Sequence, residues 1–78
     1  MAHDPDPIPE VQYYPNGQVK YSGFLFGGAA HGAWEWYRTD GSLMRAGGFD
    51  RGKQVGTWRT YARSGRLVKE TEFPSGKD

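Results

Sequence analysis

The stretch Trp34-Glu35-Trp36-Tyr37-Arg38-Thr39-Asp40-Gly41-Ser42-Leu43 returns 24 residues later as Trp58-Arg59-Thr60-Tyr61-Ala62-Arg63-Ser64-Gly65-Arg66-Leu67. Trp, Tyr, Gly and Leu hold the same slots in both. Working outward, Tyr13, Gly17 and Val19 precede Tyr37, Gly41 and Leu43 by the same 24 residues. Leu25, Phe49 and Phe73 fall in register, as do Gly28, Gly52 and Gly76, and Gly32 matches Gly56. A fixed period of this size marks a repeat architecture, in which each unit buries apolar surface against its neighbours.

Inside each unit the signals are those of a hairpin. Asn16-Gly17, Asp40-Gly41 and Ser64-Gly65 lie between short strand-like runs. The first two are favoured central pairs of a two-residue turn, in which both residues take positive φ. A second set of turns is expected near Gly27-Gly28, Arg51-Gly52 and Ser75-Gly76. No apolar stripe of helical period survives for three turns. The expectation is an all-β chain, an elongated single-layer antiparallel meander of about three 24-residue hairpin repeats with no helix. Its six strands fall near 11–14, 18–26, 33–38, 42–49, 57–62 and 66–73. Residues 1–10, with Pro5, Pro7 and Pro9, read as an extended flexible arm. Residues 11–76 read as the repeat domain, with units at 13–36, 37–60 and 61–76, and 77–78 as a tail.

Two-residue turns without bulges set Trp34 opposite Gly47, Trp36 opposite Arg45, Tyr37 opposite Met44 and Arg38 opposite Leu43. In the third hairpin they set Trp58 opposite Thr71, Arg59 opposite Glu70 and Tyr61 opposite Val68. Trp36 and Arg45 then form a cation–π pair, and Arg59 and Glu70 an opposite-charge cross-strand pair. The same parity gathers Val19, Leu43 and Leu67 on one face with Trp34, Trp36, Phe49, Trp58 and Phe73. No helix or second sheet is left to cover that face. Contiguous apolar patches rarely stay exposed on monomers, and open strand edges template pairing with another chain. A protein partner is therefore expected, or a homodimer through the apolar sheet face or an edge strand.

Composition narrows the rest. The chain has 78 residues, no cysteine and a net charge of +1. Disulfides and thiolate metal sites are excluded. Charge is −2 over residues 1–32 and +3 over 33–78, short of the basic face of a dedicated nucleic-acid binder. The N-terminal stretch has neither the basic region nor the apolar core of a signal peptide, and no apolar run approaches the ~18 residues of a membrane span. A cytoplasmic location is expected. There is no Gly-x-Ser-x-Gly elbow and no Gly-Lys-Ser/Thr phosphate loop. His31 with Glu35 is an acid–base pair on paper, but His31 better fills the turn position held by Val55 in the next repeat. His3 with Asp4 and Asp6 lies on the arm, a poor frame for a metal. Gly27-Gly28 and Gly47-Gly48 are followed by no strand-to-helix transition, so they read as turns or as backbone room beneath Trp34. No catalytic residue, cofactor or metal site is expected. The residues favoured for partner contact are Trp34, Trp36, Arg38, Arg45, Phe49 and Trp58, since aromatic rings interleaved with arginine are favoured interface anchors. Trp36 stands out, because its repeat equivalents are Gln12 and Thr60.

Gly32-Ala33-Trp34 with Trp36, Tyr37, Gly41, Leu43, Gly47, Phe49 and Gly52 resembles the MORN repeat (membrane occupation and recognition nexus) in its bacterial variant form. Gly56-Thr57-Trp58 with Tyr61, Gly65, Leu67, Phe73 and Gly76 resembles it a second time. The first copy is partial: Glu10 sits at the Trp position, and the likeness begins at Tyr13. Bacterial chains of this type are similar to antitoxins of the YwqK kind, which implies a small cytoplasmic protein that neutralises a toxin. MORN repeats are also associated with lipid binding, membrane attachment and scaffolding. The resemblance therefore implies, as the alternative, an anionic-lipid or self-assembling structural module. Single-stranded nucleic acid on aromatic platforms is disfavoured by the near-neutral charge.

Overall fold

The computed structural model describes residues 6–74. Its strands are β1 (Ile8–Tyr13), β2 (Val19–Phe26), β3 (Ala29–Tyr37), β4 (Leu43–Asp50), β5 (Lys53–Tyr61) and β6 (Leu67–Phe73). They form one antiparallel sheet in sequence order. The molecule measures 48 × 32 × 12 Å. Stacked sheets sit about 10 Å apart, face to face, so this thickness leaves room for one layer and its side chains. Ile8 to Glu10, assigned by the sequence reading to the flexible arm, are strand: they pair with Leu25, Phe24 and Gly23. Residues 1–5, Ser75-Gly76 and the 77–78 tail lie outside the described residues.

The turns of the first set are one residue longer than expected. In the first set, Gly41 N–H donates to Arg38 C=O (2.9 Å) and Arg38 N–H to Ser42 C=O (2.9 Å), which closes a three-residue loop. The same pair of bonds recurs around Gly17 and Gly65. Only the glycine of each loop takes positive φ (92° at Gly17, 90° at Gly41, 94° at Gly65), so this is a type I turn followed by a left-handed residue. Two-residue loops with both residues at positive φ occur instead at Gly27-Gly28 and Arg51-Gly52, where Arg51 is the one non-glycine with positive φ (50°) among the described residues.

The three-residue loops change the register beside them. Tyr37 pairs with Leu43, not Met44, and Tyr61 with Leu67, not Val68. A bulge at the next step restores Trp36 opposite Arg45, Trp34 opposite Gly47, Trp58 opposite Thr71 and Arg59 opposite Glu70. The longer loop takes one extra residue from the first strand and the bulge one extra from the second, and the two offsets cancel, so the expected pairs hold away from the turns. Near the turns they fail: the bulge places Val19, Leu43 and Leu67 across from Tyr13, Tyr37 and Tyr61, on the face opposite the tryptophans. β3 and β5 also start earlier than expected, because Gly32 (φ 79°) and Gly56 (φ 74°) are carried through as bulges within continuous strands.

Among the described residues the hydrophobic core is two side chains, Trp34 (6% exposed) and Trp58 (4%). Each lies flat over a glycine of the preceding hairpin, Trp34 over Gly23 and Trp58 over Gly47; a Cβ at either glycine would overlap the indole. The sequence reading put Gly47 beneath Trp34, its register partner, but the indole that covers it comes from the next repeat. Each indole Nε1–H donates to a carbonyl 10 residues back, Phe24 or Gly48, at 3.1 Å. Tyr14 Oη–H donates to Tyr37 C=O (2.7 Å), and at the equivalent position one repeat on Arg38 Nη2 donates to Tyr61 C=O (2.7 Å). Turn tips are tied likewise: Asn16 Nδ2 donates to Thr39 C=O (2.9 Å), and Asp40 pairs with Arg63 (2.9 Å).

Asp40 also accepts from the Ser42 hydroxyl (2.7 Å) and Ser42 N–H (2.9 Å). The hydroxyl first, then the N–H, with Arg63 and Arg38 adding, hold its carboxyl below the ordinary carboxylate range. A depressed folded-state value contributes stability above the unfolded value, and that stability is lost as pH falls through the folded one. Asp40→Asn is accordingly expected to flatten the low-pH side of a plot of urea midpoint against pH. An unchanged acid limb would assign that titration elsewhere.

Candidate functional site

The sheet lays one register row across all six strands: Gln12, Tyr21, Trp36, Arg45, Thr60 and Lys69. Even-numbered strands contribute Tyr21, Arg45 and Lys69, spaced by one repeat, and odd-numbered strands contribute Gln12, Trp36 and Thr60. The row is therefore aromatic at β2–β3 and cationic from β4 onward. Beside it runs an aromatic cluster. Trp36 lies 5.4 Å from Trp58 and 6.0 Å from Trp34, and Phe49 meets Trp58 edge-on at 5.1 Å. Tyr21 approaches Trp34 at 5.7 Å, and Phe73 closes the far end against Trp58 at 6.1 Å. Offset and edge-to-face contacts at these separations are the favourable ring geometries.

Arg45 crosses this cluster. Its guanidinium lies 5.8 Å from the Trp36 ring and 5.0 Å from the Trp58 ring. The expected Trp36–Arg45 contact is thus present, with Trp58 as a second platform. Arg45 itself is exposed, while Trp36 and Phe49 are half-buried. These three retain accessible surface on this face. Trp34 and Trp58, also favoured for contact from sequence, are the core, and most of their surface is spent inside. Arg38 is a strut between repeats through Tyr61 C=O.

Beside Arg45 the sheet carries a depression of about 460 Å³ lined by Gln54, Trp58, Thr60, Lys69, Thr71 and Phe73. Gln54, Thr60, Lys69 and Thr71 escaped the sequence reading. The signal was the repeat spacing of Tyr21, Arg45 and Lys69, hidden because the residue types differ.

His31 and Glu35 are not brought together. His31 Nδ1 accepts from Arg51 N–H (3.1 Å), lies 3.8 Å from the Asp50 carboxylate, and packs on Phe26 at 5.2 Å. Glu35 accepts from the Tyr37 hydroxyl (2.7 Å), which pushes that phenol above its ordinary value. Both roles are local bracing.

A family model described as the MORN repeat variant matches residues 9–25. The match supports a MORN-repeat protein. It falls on the β1–β2 hairpin, the copy with Glu10 at the Trp position, while the two Trp-bearing copies lie outside it. A MORN repeat suggests a protein-interaction or membrane-binding module. No curated protein and no solved structure matches the chain.

Proposed function

We propose that the chain is a non-catalytic protein-interaction module, an antitoxin- or immunity-like protein that seats a partner toxin on its tryptophan face and neutralises it. The observation that carries this reading is the aromatic row with Arg45 across it, on a single-layer sheet with no second layer over that face among the described residues. Rings and arginine are the side chains that most often anchor interfaces, and Trp36 and Phe49 retain exposed area here. A cytoplasmic location belongs to the same proposal.

The test is affinity recovery of partners from the source cells by the tagged chain, in parallel with a Trp36→Ala, Arg45→Ala double variant. One near-stoichiometric protein should be recovered by the native chain and lost from the variant. Co-expression of that protein with the chain should then relieve growth inhibition, and growth inhibition that persists would remove the antitoxin role while leaving the interaction module. The membrane reading suggested by the repeat is separated by sedimentation with anionic vesicles. Salt-sensitive co-sedimentation without any protein partner would replace the first reading.

A further inference from the structure

We infer that the depression between β4, β5 and β6 is a carboxylate-binding groove, which takes an acidic side chain from an extended segment of a partner protein. This assignment rests on the tryptophan face being the protein-binding surface. Arg45 forms one wall, and Lys69 lies two strands away in the same register row, with Thr60 between them. Thr71 and Gln54 add a hydroxyl and an amide, and no carboxylate lines the groove. Two cations thus share one concavity with neutral hydrogen-bonding groups, which is electrostatic complementarity to an acid.

Four of the other five arginines are held, Arg59 by Glu70 (2.7 Å), Arg63 by Asp40 (2.9 Å), Arg51 by Asp50 (3.3 Å) and Arg38 by Tyr61 C=O (2.7 Å). Arg66 is exposed and does not line the groove. Arg45 and Lys69 have no carboxylate within ion-pair distance among the described residues. Arg45 instead lies over two indoles, 5.8 Å from the Trp36 centroid and 5.0 Å from the Trp58 centroid. Its planar fork is the donor group that takes a carboxylate through two parallel N–H···O bonds.

Competing ligands fit less well. Nucleic-acid binding on aromatic platforms needs ring faces open to bases, whereas Trp58, the indole nearest the groove, is buried against Trp36, Phe49 and Phe73. Anionic membranes are recognised by clusters of about 4–8 cations, and only Arg45 and Lys69 line this concavity. A protein segment needs no more than one carboxylate placed over the pair.

Titration of the ¹⁵N-labelled chain with an octa-glutamate peptide tests the groove, with an octa-glutamine peptide, phosphatidylserine vesicles and an oligothymidine as comparisons. Octa-glutamate is expected to shift Arg45 Nε–H, the Trp58 indole N–H and the amides of Thr60, Lys69 and Thr71. Octa-glutamine should leave them in place. Arg45→Gln should weaken the peptide at least tenfold, Arg45→Lys less, and Lys69→Gln several-fold. Lys69, unlike Arg45, makes no cation–π contact with an indole among the described residues, so its variant tests the groove even if Arg45→Gln disturbs the tryptophans. Shifts centred on Arg63 and Arg66, equal binding of octa-glutamine, unchanged affinity in Lys69→Gln, or tighter binding of vesicles or oligonucleotide would each overturn the assignment. If a native partner is lost by Trp36→Ala yet kept by Arg45→Gln and Lys69→Gln, the interaction surface stands and the groove falls.

Discussion

Gly47→Ala is expected to abolish the cooperative unfolding transition of the chain. The added methyl would overlap the fused-ring atoms of Trp58, which is one of two buried side chains. A flexible side-chain end can swing away from such a collision. This indole cannot, because Nε1–H is tied to Gly48 C=O (3.1 Å) and its ring is wedged between Trp36 and Phe49. Overpacking a core commonly costs about 1–3 kcal/mol and sometimes more, and overlap with an immobile ring belongs at the upper end. Domains below about 70–80 residues seldom hold more than about 3–5 kcal/mol in one core, so one methyl is enough to remove most of the stability. Gly23→Ala beneath Trp34 should behave the same way, by the repeat symmetry. Gly48→Ala is the control. Its Cβ would meet Val55 C=O at 3.6 Å, ordinary contact, and its φ is not positive. Urea unfolding followed by tryptophan fluorescence checks the set. Equal midpoints for Gly47→Ala and Gly48→Ala would mean that the indole does not rest where it is placed here.

The repeat period made the fold legible, and the places where reading failed have physical causes. An Asn-Gly or Asp-Gly pair is compatible with a two-residue turn in which both residues are left-handed, or with a three-residue loop in which only glycine is. Asn16 Oδ1 accepts from Gln18 N–H (2.9 Å), and Asp40 Oδ1 accepts from Ser42 N–H (2.9 Å). Side chains that bridge to the backbone two residues on stabilise the longer loop, and dipeptide preference does not weigh them. At Arg51-Gly52 the turn itself was legible and its type was not: nothing about arginine advertises a left-handed residue, yet Arg51 adopts that conformation. The aromatic half of the site was legible because tryptophan repeats. Of its cations Arg45 was legible from its place opposite Trp36, and Lys69 was not, since it joins Arg45 only once two strand pairings have been laid side by side.

Departures from the repeat also gather on the outer strands. Thr71 takes the position of Gly23 and Gly47, Ala62 that of Tyr14 and Arg38, and Glu10 that of Trp34 and Trp58. A second copy added edge to edge in repeat register would bring Glu10 of its β1, not an indole, to Thr71, and would find no side-chain donor at Ala62. Neither the indole seat nor the carbonyl tie of the inner repeats is reproduced at that edge.

Trp58→Ala carries the other large effect, and its comparison with Trp36→Ala separates folding from binding. Truncating a buried tryptophan costs about 3–5 kcal/mol. Here the loss includes packing on Trp36, Phe49 and Phe73, a platform for Arg45 and the bond to Gly48 C=O. In a linear array each hairpin is held only by its neighbours, so amides of β5 and β6 should lose hydrogen-exchange protection first, before those of β2 and β3. Trp58→Phe keeps part of the packing but leaves the Gly48 carbonyl without its indole donor, and should fall between Trp58→Ala and the native chain. Trp36 is half-buried, its indole donates no hydrogen bond among the described residues, and its repeat equivalents are Gln12 and Thr60, so the sheet tolerates polar residues there. Trp36→Ala should cost about 1–3 kcal/mol, the ordinary range for a point substitution, and leave the sheet assembled. Denaturant midpoints and exchange rates for the three variants decide the matter. If Trp36→Ala destabilises as much as Trp58→Ala, the two indoles form one structural unit, and a loss of partner affinity on mutating Trp36 could no longer be ascribed to a contact.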